Sequence, residues 1–362
     1  MGIIGTRQVG KTTLAHQLAA TFPRPTHFFD LENSEDVSRL SDPVAALKSL
    51  KGLVVLDEIQ KYPNLFPAIR VLADRPASRV KFLILGSASP ELLRQSSETL
   101  AGRIIYHPLQ GFGVDEIQTR HWDTLWVRGG FPKAYLAKTD TQSEEWRRSF
   151  IKTFLESDIP QLGITVQSST LRRFWTMLAH FHGQVWNASE FGRSFGVADT
   201  TVRHYLDILT SSLVLRQLLP WYENLGKRQV KSPKIYFADT GILHTFLKIK
   251  TFSDLHTHPK IGASWEGFVV GQIIRLLDAQ EDECFFWATH AGAELDLLIV
   301  KGKKRFGFEI KRTGSPQVTP SMRSALHDLK LHHLDVIHTG EHTFPLGEKI
   351  RAVSFSRFLK DL

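Results

Sequence analysis

The residues best placed to do chemistry stand at the very start of the chain. Gly5-Thr6-Arg7-Gln8-Val9-Gly10-Lys11-Thr12 satisfies the spacing G-x-x-x-x-G-K-[ST], between apolar Ile3-Ile4 and the helical-looking stretch Thr13 to Ala20. Glycines at that spacing let backbone N–H groups wrap phosphate oxygens, and a following helix adds the positive end of its dipole. Lys11 suits the β/γ-phosphate charge and the Thr12 hydroxyl suits Mg²⁺. The expected nucleotide-binding set is Gly5, Gln8, Val9, Gly10, Lys11, Thr12 and Thr13, with ATP and Mg²⁺ as ligands.

Two further apolar runs end in polar residues that such a loop would use. Leu53-Val54-Val55-Leu56 leads into Asp57-Glu58. A carboxylate at the tip of a neighbouring strand is where Mg²⁺ needs one, so Asp57 takes that role and Glu58 that of orienting the attacking water. The run from Val80 to Leu85 ends at Gly86-Ser87, making Ser87 the candidate sensor of the γ-phosphate. Arg103, in Leu100-Ala101-Gly102-Arg103, is a candidate γ-phosphate contact in cis or in trans; a surface ion pair is the alternative.

At these residues the chain resembles the prokaryotic AAA-like P-loop ATPases that carry a C-terminal DUF4143 region. The stretches that carry the likeness are GTRQVGKTTL from Gly5, LDEIQ from Leu56, LAGR from Leu100, GGFP from Gly129 and KSPKIYFADTG from Lys231. The resemblance implies an α/β architecture. Its parts are a P-loop parallel sheet (1–112), a helical connector or lid (113–165), a winged-helix-like segment (166–250) and an α+β restriction-endonuclease-like domain (251–362). The DUF4143 region would span roughly 150–315. A few dozen residues before the P-loop are usual there. Only Met1 to Ile4 precede it here, so a short first strand is expected, from a misassigned start or a truncated fold.

The elements that must position this chemistry follow from periodicity. Trp146 to Leu155 spaces its large apolar residues at three and four, as a helix does, and Pro160 is expected to end that helix. Gly129 to Pro132 reads as a turn without chemistry. Between Gln161 and Lys234 nine Lys/Arg face four Asp/Glu, a local charge of +5. Within it, Asn187 to Leu209 reads as two helices around a glycine turn, the helix-turn-helix spacing. On that reading Thr200, Thr201, Arg203 and His204 face the DNA major groove, while Lys227, Arg228 and Lys231 in a following wing meet phosphate. The same pattern also serves protein–protein packing.

A second possible chemistry lies in the last third. A helix around Trp265 to Ile274 carries Glu266, and two apolar strands carry Asp296 and Glu309-x-Lys311. Antiparallel neighbours with alternating side chains put these on one face. Two carboxylates to hold Mg²⁺ and a lysine for the scissile phosphate are what metal-assisted phosphodiester hydrolysis needs, and the arrangement resembles the PD-(D/E)xK nuclease core. A hairpin with a cross-strand ion pair is the other reading of the same residues.

Composition bounds these readings. At roughly 150 residues per domain, 362 residues make two or three domains. The 42% hydrophobic and 23% charged content excludes long disorder. A net charge of +8 and a pI near 9.5 favour a polyanionic partner such as DNA. A single cysteine, Cys284, excludes an internal disulfide or a multi-cysteine zinc site and suits a cytoplasmic protein, with Cys284 a buried thiol. No apolar run approaches the roughly 20 residues of a membrane span. His256, His258, His332, His333, His338 and His342 are expected in solvated loops. A homo-oligomer is compatible with the resemblance.

Overall fold

The computed structural model describes residues 1–75, 80–88, 99–117, 121–161, 166–222 and 230–362. Two compact units emerge: Met1–Gly111 with Gln161–Ile164 and Leu206–Val214, and Phe112–Pro160 with Thr165–Tyr205 and Leu215–Leu362.

The first unit is built on five parallel strands, β1 (Gly2–Gly5), β2 (Thr26–Asp30), β3 (Gly52–Asp57), β4 (Val80–Ser87) and β5 (Tyr106–Pro108), in the order β2-β3-β4-β1-β5. A parallel sheet needs both faces covered, and its strands alternate to supply both. Ile3, Leu53, Val55, Leu83 and Leu85 pack with Ala15 of helix α1 (Lys11–Thr21). Ile4, Val54, Leu56 and Ile84 point the other way, into a core with Leu40, Leu47, Leu65, Ile69 and Leu72. Those residues belong to or flank α2 (Ser34–Arg39), α3 (Pro43–Lys48) and α4 (Leu65–Ala73). The first strand is short, as expected, at four residues. It is paired on both sides, with Gly5 beside Ser87 and Ile4 beside Pro108, so its position does not depend on its length.

The second unit opens with α5 (Trp122–Arg128), α6 (Pro132–Tyr135) and α7 (Asp140–Thr153). The helix expected to end at Pro160 reaches Gln161, one residue beyond it: a π turn over Phe154–Asp158 leads into α8 (Ile159–Gln161). Proline removes one N–H, and a locally widened turn is how a helix absorbs that loss. Next come α9 (Ser168–His180), β6 (Gln184–Val185), α10 (Ala188–Phe195), α11 (Asp199–Ser211), whose part from Leu206 on belongs to the first unit, β7 (Leu215–Pro220) and β8 (Lys234–Phe237). The remaining helices are α12 (Thr240–Phe246), α13 (Phe252–Thr257), α14 (Ile261–Leu276), α15 (Pro320–Asp328) and α16 (Phe358–Asp361). Strands β9 (Cys284–Ala288), β10 (Glu294–Lys301), β11 (Lys304–Lys311), β12 (His333–His338), β13 (Phe344–Pro345) and β14 (Ile350–Ser354) complete it.

One nine-stranded sheet, β13-β14-β12-β11-β10-β9-β7-β8-β6, runs through this unit. β9, β10 and β11 are antiparallel neighbours, whereas β12 is parallel to β11. β7 lies parallel to β9, so the basic segment and the C-terminal strands share a sheet.

The turn at Gly129 to Pro132 is structural. Gly129 has φ +79°, and a Cβ there would collide with the Asp239 carboxylate at 2.2 Å. Asp239 accepts the Gly130 N–H at 2.7 Å and caps α12 by accepting the Ile242 N–H at 2.9 Å. GGFP and ADTG, two stretches that carry the family likeness, are therefore the two halves of one lock. Three of the histidines expected in loops are corrections: His256 lies on α13, His333 is half-buried on β12, and His338 is buried on β12, accepting the Gly340 N–H at 3.1 Å. Cys284 is buried on β9, and burial pushes its thiol up to about 11.

Candidate functional site

The end of β1 turns sharply into α1, and the turn is made by Gln8 at φ +63° and Gly10 at φ +105°. This left-handed geometry, which favours glycine, turns successive N–H groups toward one point. Lys11 opens α1 and is almost wholly buried; its Nζ donates to the carbonyls of Gly5 and Thr6, each at 3.1 Å. Thr6 and Val9 are buried within the loop. Thr12 Oγ1 donates to Asp57 Oδ2 at 2.6 Å, joining the loop to the tip of β3. Its proton is directed at the carboxylate, which leaves the hydroxyl oxygen's lone pairs for a cation. A hydroxyl and a carboxylate side by side fit Mg²⁺, which takes oxygen ligands and few of them from protein.

Glu58 follows in the left-handed region, φ +53°, and its N–H donates to Asp57 Oδ1 at 2.9 Å. A non-glycine residue held there costs on the order of 1–2 kcal/mol, and such positions cluster at functional sites. Sequence reasoning missed what holds its side chain. Gln60 Nε2 donates to Glu58 Oε2, while Gln60 Oε1 accepts the Ser87 N–H at 3.2 Å. Gln60 is thus a strut between the candidate base and the tip of β4. The only signal was its place in LDEIQ. Ser87 sits beside Gly5, and its Oγ is buried with no hydrogen-bond partner among the described residues.

Arg103 is not brought to this loop. Its guanidinium grips the Asp74 carboxylate at 2.6 and 2.9 Å. It also lines an apolar cavity of about 530 Å³ with Met1, Leu53 and Val80, at the starting ends of the strands. The loop stands at their finishing ends.

The second cluster converges as the sequence implied and adds members it did not. Asp296 accepts the Ile310 N–H at 2.8 Å, and Lys311 pairs with Glu309 at 2.7 Å. Glu266, from α14, accepts the Tyr236 hydroxyl at 2.6 Å. The addition is Lys234 on β8. Its ammonium meets Glu266 at 3.2 Å, Asp296 at 3.8 Å and, more closely, Glu294. Burial, then the Asp296 charge, raises Glu266 to about 7 and Glu309 to about 8, with Lys311 opposing the latter. Burial pulls Lys234 down, but Tyr236, Glu266, Asp296 and Glu294 together carry it well above the ordinary lysine range. Among the described residues, no three His, Cys, Asp or Glu side chains form a group able to hold a metal ion.

The basic segment folds as two helices about a glycine turn. Gly196 caps α10 at φ +67°, and Ser189 donates to Asp199 at 2.6 Å across the turn. Thr200, Arg203 and His204 are exposed on α11 and Thr201 is half-buried. Lys231 is exposed, whereas Lys227 and Arg228 lie outside the described residues. No helix among the described residues is long and apolar enough to cross a membrane.

Comparison with known proteins gives three consecutive family matches. An AAA domain covers residues 1–118, a domain of unknown function (DUF8612) residues 119–253, and a domain of unknown function (DUF4143) residues 261–358. Two mycobacterial relatives, Uncharacterized protein Mb2031c of Mycobacterium bovis and Uncharacterized protein Rv2008c of Mycobacterium tuberculosis, are each 48% identical over 357 residues, covering 99% of this chain and 80% of theirs. Two structures of Thermotoga maritima RuvB, a point variant and one described as a Holliday junction branch migration motor, align at 18% and 17% identity. Each alignment covers 60% of this chain and 80% of RuvB, with TM-scores of 0.30 and 0.27, too low to carry an argument.

Proposed function

Since this chain belongs to the family of AAA-domain P-loop ATPases with a C-terminal DUF4143 region, we propose that it is an ATP-driven switch whose nucleotide state is relayed to a DNA-engaging module. The observation that carries the reading is the Thr12–Asp57 hydrogen bond at 2.6 Å, with Lys11 and Glu58 on either side of it. ATP binding exchanges the Gly5 and Thr6 carbonyls for phosphate oxygens at the Lys11 ammonium. A phosphate oxygen carries a full negative charge where a carbonyl offers only a dipole, so the exchange favours the anion. Thr12 and Asp57 would hold Mg²⁺, which neutralises charge building on the β/γ-phosphates. Glu58 accepts a proton from the attacking water, and Ser87, poised by its N–H contact to Gln60, reads whether the γ-phosphate is present.

The relay's target is argued from charge and exposure. A +5 segment that exposes Thr200, Arg203 and His204 on the second of two helices about a glycine turn suits the major groove, and the order α9-β6-α10-α11-β7-β8 supports a winged-helix reading. Turnover of MgATP by the full chain, with and without duplex DNA, tests both halves. DNA should raise the rate, and the stimulation should fade steeply with salt as phosphate contacts are screened. A rate indifferent to DNA, with no salt-dependent DNA binding, would leave a protein-interaction platform instead.

A second reading, metal-dependent DNA cleavage, is favoured by one observation: Glu266, Asp296, Glu309 and Lys311 converge from three elements as a PD-(D/E)xK-like core requires. The Lys234 ammonium among those carboxylates bears directly on it.

A further inference from the structure

We infer that Lys234 is a tethered cation occupying, in the C-terminal cluster, the place that a divalent metal would take. The inference builds on the second reading above and is independent of the ATPase. Three carboxylates from two elements surround one ammonium, Glu266 from α14 and Glu294 and Asp296 from β10. The lysine side chain is only 4% exposed. A buried cation is tolerated where carboxylates pair with it, and here three do. The positioning is deliberate in the fold. Lys234 and Tyr236 alternate onto one face of β8 and reach the same Glu266 oxygen, so the strand presents a cation and a hydroxyl donor to one acceptor.

A second observation marks the cluster as cation-seeking beyond what Lys234 supplies. Glu309 is 5% exposed, one of its oxygens is paired with Lys311, and the other is buried without a partner. Such an oxygen beside Asp296 is an unfilled acceptor in an acidic pocket. Among the described residues no three carboxylates form a group fit for a metal, and the acids here are arranged about two lysines. With the ammonium in place, a divalent ion would meet its repulsion at under 4 Å from Asp296. Removing that charge while keeping the side-chain volume should convert the cluster into a metal site.

The test is Mn²⁺ binding to the nucleotide-free full chain, followed by the paramagnetic signal of free Mn²⁺, in wild type, Lys234→Met, Glu309→Gln and the double variant. Lys234→Met should gain a site roughly tenfold or more tighter than any in wild type, since affinity follows ligand charge, and the double variant should lose it. A folded Lys234→Met that gains no site overturns the inference. So does a wild-type site of equal affinity that Glu309→Gln abolishes. If Lys234→Met does not fold, its melting is followed in Mn²⁺ and in EDTA. Recovery of a folded transition in Mn²⁺ alone supports the substitution of one cation for another, and no recovery overturns it. Adding duplex DNA separates the two ideas: Mn²⁺ bound by Lys234→Met without cleavage retires the nuclease reading and leaves the tethered cation standing.

Discussion

The molecule holds two lysine-and-carboxylate sites made from the same side chains to opposite effect. At the P-loop, Lys11 donates to two backbone carbonyls, which aim the ammonium. In the C-terminal cluster, Lys234 meets three carboxylates, which cancel it. The first arrangement suits an incoming anion, whose full charge attracts the ammonium more strongly than carbonyl dipoles do. The second resists a metal cation, because the tethered ammonium already sits among the acids. The number of ionisable groups does not distinguish an open site from a closed one; the partner of the cation does.

The largest effect that would sharpen this contrast lies in turnover. Glu58→Gln removes the only change in protonation assigned to the P-loop unit and should lower kcat on the order of 10²–10³-fold with ATP affinity little changed. Gln60→Leu cuts the strut between Glu58 and Ser87 but leaves both in place. It should lower kcat about tenfold while KM stays put, since a displaced base weakens the chemical step and not substrate binding. Equal changes in kcat and KM for Gln60→Leu would mean that the strut merely holds the loop.

The smallest effect lies in the closed site and is read as stability. Glu309 is raised from 4.5 to about 8 and Glu266 to about 7, so the folded chain holds protons that the unfolded chain releases at lower pH. The folded state binds more protons between the two pKa values, so these groups weaken it as pH rises from about 4.5 to about 8. Melting temperatures of wild type and Glu309→Gln, compared across that range, should diverge, with wild type losing ground as pH rises. A constant difference would show that Glu309 ionises normally.

How much of this was legible in the sequence depended on how local each feature is. The P-loop is contiguous, and β3 and β4 announce themselves as apolar runs with Asp57 and Ser87 at their tips, so the loop and the two strands that face it could be read directly. Asp296, Glu309 and Lys311 were also within reach, because a short turn between two strands fixes their register. Gln60 was visible as a motif letter, but its role depends on Ser87, 27 residues away. Lys234 lies 32 residues from Glu266 and was read as part of a basic surface, whereas it is buried on a strand of the shared sheet. No local pattern could show that β7 would pair with β9 and bring the basic segment and the C-terminal strands together. His338 misled for the same reason: its burial is decided by β11 and β14 on either side.

The most direct test of the account is ATP binding to the full chain in the presence of Mg²⁺, measured calorimetrically for wild type and Lys11→Ala. An ammonium aimed by carbonyls at a phosphate site predicts magnesium-dependent binding in wild type, weakened on the order of 10²-fold or more by the substitution. Wild-type protein that binds no ATP, or binding that Lys11→Ala leaves unchanged, would contradict it.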